Sequence, residues 1–300
     1  MINEVELVWD AKAMAGENPN WQQEEQALYW LDMYKPCIHI YFPDEKRDEQ
    51  LILNKRIGCM ALRQKTPNSI IAGMIDGIYY IDLKTKILNF IDNPDYSHPN
   101  NRFNDGKCDP QGRFWAGTMS MEGDEGKQDV PSESSLYCVY PDLTIKKRIE
   151  KVRIANGLCW NINKKLMYFI DTPSKEVSVF DYDANTGNIA NRRVCVHFPA
   201  GVGVPDGMTI DEEGMLWIAH FGGSRISRWN PESGQILKEY FFPVSNITSC
   251  AFGGKNLNEL YITTVRAGLN HHQVKKQPYA GGLFRLTTNV QGVPTYKFSG

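Results

Sequence analysis

A phrase made of a first strand, a polar turn and a second strand returns six times along this chain. In "NGLCWNINKKLMYFID" the step from Asn156 to Met167 is 11 positions and the step to Asp171 is 15. "ENPNWQQEEQALYWLD" repeats both, 11 from Glu17 to Leu28 and 15 to Asp32, and "DGMTIDEEGMLWIAHF" repeats the first, 11 from Asp206 to Trp217. "RFNDGKCDPQGRFWAGTM" again gives 11, from Asn104 to Trp115, and weaker copies run from Cys59 to Ile70 and from Ser249 to Leu260. The six starts, at 17, 59, 104, 156, 206 and 249, stand 42, 45, 52, 50 and 43 residues apart. After each comes another strand-like run ending in turn residues: "IHIYFPDEK", "IYYIDLKTK", "LYCVYPDLT", "VSVFDYDANTG", "ISRWNPESG" and "LFRLTTNVQG". Alternating β-branched or aromatic residues followed by Asp, Asn, Pro or Gly mark a strand entering a tight hairpin.

A period of about 40–50 residues with four short strands per unit is that of a β-propeller blade. The expected fold is therefore all-β: a six-bladed β-propeller with four-stranded blades around a central channel, residues 1–300 forming a single domain. No long stretch carries apolar residues at helical spacing, which argues against helical solenoids of similar period. The leading "EVELVW" is expected to add a strand to the last blade and close the ring, which removes open sheet edges.

A hydrophobic fraction of 42% with 23% charged residues fits a globular chain able to bury a large core. Lys+Arg 33 against Asp+Glu 35 leaves a net charge of -2, so no basic stripe is on offer for phosphate backbones or anionic lipid. Neither nucleic acid nor membrane is expected as a partner, and nothing implies a protein partner. Seven cysteines, with no C-x-x-C pair, read as reduced core thiols. "MINEVELVWDAK" lacks a basic region followed by an apolar stretch, and a cytoplasmic location is expected. "NIT" at Asn246 weighs little against that.

In a propeller the first strand of each blade lines the channel, so equivalent positions of successive copies form a ring. Here the ring is Glu17, Cys59, Asn104, Asn156, Asp206 and Ser249. Its carboxylate and amide oxygens, brought to one axis, need a cation or hydrogen-bond donors to offset them. All-oxygen donors suit Ca²⁺, Mg²⁺ or Mn²⁺ better than a structural zinc site. Asn-Gly and Asp-Gly are also ordinary turn dipeptides, and the weight of the site reading comes from their shared place in the repeat.

The motifs "GENPNW", "RFNDGKCDPQGRFWAGTM", "ANGLCW", "VPDGMTIDEEGMLWIAH" and "CAFGGKNLNELYIT" resemble the senescence marker protein 30 (regucalcin)/gluconolactonase family, which includes luciferin-regenerating enzyme. The resemblance runs in order over nearly the whole chain. It implies a six-bladed propeller that hydrolyses lactones with one divalent metal ion, Ca²⁺, Zn²⁺, Mn²⁺ or Mg²⁺. It also implies that Glu17, Asn156 and Asp206 are metal ligands, that Asp206 doubles as general base, and that Arg102, Asn104 and Glu122 contact substrate. One departure is Asn18 in "GENP", where the family more often has a small residue after the Glu.

Such a site would hydrolyse a sugar lactone with metal-activated water and no covalent intermediate. Arg102 and Asn104 offer donors and acceptors suited to several hydroxyls. Two alternatives stand beside this: a non-catalytic calcium-binding propeller of regucalcin type, and a hydrolase of a non-sugar lactone. The polar wall of Arg102 and Asn104 favours the enzyme, because a purely structural ion needs only ligands. No G-x-S-x-G elbow and no H-E-x-x-H spacing is present. His220 is open to two readings, pocket lining or core. "FGGSR" at Phe221 has no phosphate-binding context, and "HH" at His271 reads as surface loop.

Overall fold

The computed structural model describes residues 5–123, 131 and 133–300. Most of the polar "EGDEGKQD" stretch and Ser132 of "PSESS", two polar runs that read in the sequence as solvated connections, lie outside the described residues, as does Glu4. Among the described residues the strands form six four-stranded antiparallel sheets, the blades of a six-bladed β-propeller. Each of the six sequence phrases supplies the first two strands of a blade, and each run ending in turn residues supplies the third.

The blades fall into two compact units. One joins the chain up to Ile52 with Cys195–Thr295. It contains blade 1 (Gly16–Gln22, Ala27–Asp32, Cys37–Phe42, Arg47–Ile52) and blade 5 (Val204–Ile210, Leu216–Phe221, Arg225–Asn230, Gln235–Phe241). Blade 6 takes Ile247–Gly253, Glu259–Thr264 and Leu283–Thr287 from the C-terminal side and is completed by Val5–Trp9, which pairs antiparallel with Leu283–Thr287. The leading strand therefore closes the last sheet as its sequence suggested. Cores form between adjacent sheets: Trp217, Phe252 and Phe284 in one, Trp21, Trp30 and Tyr261 in another. Trp21 stacks on Tyr261 with ring centroids 5.5 Å apart.

The second unit joins Leu53–Val194 with Tyr296–Gly300. Blade 2 comprises Ile57–Leu62, Ser69–Met74, Gly77–Asp82 and Leu88–Asp92; blade 3 comprises Asn101–Cys108, Phe114–Ser120, Ser134–Val139 and Ile145–Val152. Blade 4 comprises Ala155–Trp160, Leu166–Asp171, Glu176–Asp183 and Asn188–His197. Phe298, fully buried, joins Phe103, Phe114 and Tyr137 in the core between blades 2 and 3. The tail that carries it is pinned by backbone hydrogen bonds, Phe298 N–H to Leu62 O and Gln64 N–H to Phe298 O, both 2.8 Å.

Four acidic residues of the repeated phrase are structural. Asp32 accepts the backbone N–H groups of Met14 (2.8 Å) and Ala15 (3.0 Å), and Asp171 accepts that of Ile154 (3.0 Å), so the 15-residue offset marks where the chain enters a first strand. Burial pushes the Asp171 carboxyl above its ordinary value, against those N–H donors. Asp109 and Asp211 close the hairpins of blades 3 and 5: each accepts turn N–H groups and, through its second oxygen, a buried tryptophan Nε1–H, Trp115 at 3.0 Å and Trp217 at 2.8 Å. All seven cysteines are free thiols, as expected. No helix among the described residues is long and apolar enough to cross a membrane. His271–Lys276, expected as loop, is a short helix capped by Asn270 and Gln273 in a reciprocal box.

Candidate functional site

All six first strands break register with their second strands at a comparable place. Two residues oppose one between Glu17 and Asn20, Phe103 and Gly106, Ala155 and Leu158, and Pro205 and Met208. One extra residue stands without a counterpart between Ile57 and Cys59 and between Ile247 and Ser249. Each break is a β-bulge, which leaves one residue outside the ladder, bends the strand and re-aims its side chains. Asn104, Asn156 and Asp206 sit inside these bulges. That is why polar side chains interrupt strands whose other residues are almost all buried. Glu17 is the last paired residue before its bulge, opposite Leu31.

In the first unit, Glu17 Oε2 accepts the N–H of Asn18 at 2.8 Å. Asn18 is buried with φ 48, a left-handed conformation that Asn tolerates better than most residues with a side chain. Asn20 Nδ2 holds it there by donating to Asn18 O at 2.9 Å. Asp206 is 7% exposed. Its neighbour Gly207 lies so close to Ser249 that a Cβ would collide with that side chain, which is what a glycine after Asp206 permits. The first strand of blade 6 lies against the first strands of both blade 1 and blade 5, the two that carry Glu17 and Asp206.

In the second unit, Arg102 Nη1 donates to Asn104 Oδ1 at 2.8 Å and to Phe103 O at 2.9 Å. Asn104 Nδ2 donates to Ala155 O at 2.9 Å, the carbonyl just before Asn156. Arg102, Asn104 and the Asn156 bulge are thus tied together. Asn104 spends much of its capacity on this brace and keeps one Nδ2–H for other use. Glu122 sits in a short turn, Met121–Gly123, after the second strand of blade 3, with its N–H directed at Ser120 Oγ (3.3 Å). Ser120 pairs with Asn101, so Glu122 and Arg102 lie at one end of that blade. Asp105, given no role in the sequence reading, is buried in the same bulge as Asn104, with its Oδ1 accepting the N–H of Gly106 at 2.7 Å.

The donor chemistry fits a hard divalent cation. Asn156 is 6% exposed, and its Nδ2 donates to Thr172 Oγ1 at 2.9 Å. Its Oδ1 is buried without a hydrogen-bond partner, the only such orphan among the described residues that lies in a first-strand bulge. An unsatisfied buried acceptor costs about 1–3 kcal/mol, and a cation removes that cost. Among the described residues no three His, Cys, Asp or Glu side chains gather in metal-ligand fashion. The expected set contains only two carboxylates, and Asn156 Oδ1 would be its third donor.

His220 is a core residue and does not line a pocket. It is fully buried; Nδ1–H donates to Val202 O at 2.8 Å, and Nε2 accepts from Ser227 Oγ, itself bonded by Trp229 Nε1–H. Burial pushes the imidazole down to about 4 from 6.5. As pH falls through 6.5 the unfolded chain takes up a proton that the folded chain refuses, so the stabilisation is complete above 6.5 and lost progressively toward 4. The contribution is on the order of 3 kcal/mol. A His220→Gln variant is expected to show a flatter loss of urea midpoint between pH 7 and pH 4.5 than the parent; equal slopes would remove His220 as the cause.

Comparison with known proteins gives concordant matches. A model of the SMP-30/Gluconolactonase/LRE-like region matches residues 15–266. "Putative sugar lactone lactonase YvrE" of Bacillus subtilis (strain 168) is 38% identical over 291 residues, covering 97% of each chain. Regucalcin of Danio rerio is 37% identical over 297 residues, 99% of this chain and 98% of its own. A solved luciferin-regenerating enzyme superposes with a TM-score of 0.92 at 34% identity, over 99% of both chains. With six bladed sheets, the repeated bulge and these matches in agreement, the chain belongs to the SMP-30/gluconolactonase/LRE-like family.

Proposed function

We propose that the protein hydrolyses sugar lactones with one divalent cation, Ca²⁺, Zn²⁺, Mn²⁺ or Mg²⁺, held by Glu17, Asn156 and Asp206. The observation that carries this reading is Asn156 Oδ1, a buried acceptor without a protein donor in the same kind of bulge that holds Asp206. The relative named as a sugar lactone lactonase supports the reaction class. When bound, such a cation polarises the lactone carbonyl and acidifies a water molecule. Asp206 takes the proton of the attacking water as the water oxygen bonds to the carbonyl carbon. The ring C–O bond then breaks and the proton passes to the departing ring oxygen, so lactone and water become a hydroxy acid. Arg102, oriented by Phe103 O and Asn104 Oδ1, is the guanidinium we assign to sugar hydroxyls, with Glu122 accepting from one. The free thiols accord with a reducing compartment, and the cytoplasm is the location we propose.

The test is proton release by the purified protein over a panel of aldonolactones and apolar lactones, before and after chelation. Hydrolysis of sugar lactones is expected to fall about 100-fold or more on chelation and to return with added cation. Activity that survives complete removal of metal would refute the cation's role. Turnover of the apolar lactones alone would move the substrate class, and no turnover with any cation would refute the enzyme.

A further inference from the structure

We infer that Thr172 is a positioning residue for the cation site, fixing the Asn156 amide so that Oδ1 and not Nδ2 is offered to the ion; this rests on the reading under Proposed function. An asparagine is a usable ligand only in one of its two amide orientations. Flipped, it points two N–H donors at a cation. What selects the orientation is the partner of the other end, and for Asn156 that partner is Thr172 Oγ1, which accepts the Nδ2–H at 2.9 Å. A hydroxyl can also donate, but accepting from the NH₂ end, as it does here, leaves the carbonyl end to the ion, whose pull favours this orientation over the flipped one.

Thr172 is itself held firmly. Its N–H donates to Ile154 O at 3.2 Å, which ties it to the residue before the blade 4 first strand. It opens a tight turn, Thr172–Ser174, in which Pro173 restricts the backbone and Lys175 closes with φ 55. Just before it, Asp171 receives the Ile154 N–H at 3.0 Å and pairs across the sheet with Ala155. The second strand of blade 4 thus delivers a carboxylate that anchors the entry to the first strand and, one residue later, a hydroxyl that orients the side chain in its bulge. Supporting groups of this kind change cation affinity more than fold.

The experiment compares the parent with Thr172→Val, which keeps the shape and removes the acceptor, and Thr172→Ser, which restores it. Calorimetric titration with Ca²⁺ and Mn²⁺ reads affinity without turnover. Thr172→Val is expected to weaken binding by about 10–100-fold, and Thr172→Ser to stay within about threefold of the parent. Lactone hydrolysis by Thr172→Val at saturating cation should recover most of the parental kcat. Equal affinity for Thr172→Val and a cation-binding parent would overturn the role of Thr172 alone. A parent that binds neither cation would overturn both this role and the site beneath it. Thr172→Ser as weak as Thr172→Val would also overturn it, because the hydroxyl would then not be what matters.

Discussion

Replacing Asp206 with alanine is expected to lower kcat on sugar lactones by about 1,000-fold or more, because one side chain is removed from two tasks. As the proposed ligand it would bring the carboxylate charge that makes an otherwise largely neutral bulge attractive to a cation. As the proposed base it would receive the proton of the attacking water. Asp206→Asn separates the two, since an amide oxygen can still face a cation but cannot take a proton. That variant should keep measurable cation binding while its kcat stays low. Neither change should disturb the fold much, because Asp206 lies in a bulge outside the ladder and the Gly207–Ser249 approach is untouched. An Asp206→Ala protein that is folded, loaded with metal and hydrolyses lactones at the parental rate would remove Asp206 from the chemistry.

The largest expected effect on stability is at Phe298. Its ring is fully buried between blades 2 and 3, and Phe→Ala in such a place costs about 3–5 kcal/mol through lost transfer energy and the cavity left behind. The backbone of the tail stays tied by its bonds to Leu62 and Gln64, so the site can collapse only partly. Urea unfolding should show the loss as a lower midpoint, with Phe298→Leu recovering much of it. A loss under about 1 kcal/mol would mean that the ring adds little to that core.

Much of the architecture could be read from residue order, because first and second strands are nearly wholly buried and carry the apolar signal. The fourth strands gave almost none. Arg47–Ile52, Ile145–Val152 and Gln235–Phe241 face solvent along much of their length, and their charged residues look like loop. The helix at His271 escaped because it is six residues long and rests on a local cap instead of an apolar face. At the site, the shared position of Asn104, Asn156 and Asp206 was visible as an 11-residue offset, but the bulge behind it was not, since a bulge is a property of pairing between strands. The offset also hid a difference, that Glu17 precedes its bulge while the other three lie within theirs. The partners of the Asn104 amide and the hydroxyl at Thr172 depend on contacts about 51 and 16 residues apart in sequence, beyond any local pattern.

The pairing of Val5–Trp9 with Leu283–Thr287 sets a condition on how the protein is made. Val5 meets Leu286, so Val5–Trp9 must wait for Leu283–Thr287 to be translated before it can pair. At about 5–20 residues per second that wait is on the order of 15–60 s. During it blade 6 is unfinished and Val5–Trp9 is an unclaimed edge, open to pairing with a strand of another nascent chain. The union of these two strands thus comes only after the five intervening blades have been translated, and the interval before it is when chaperones have most to protect.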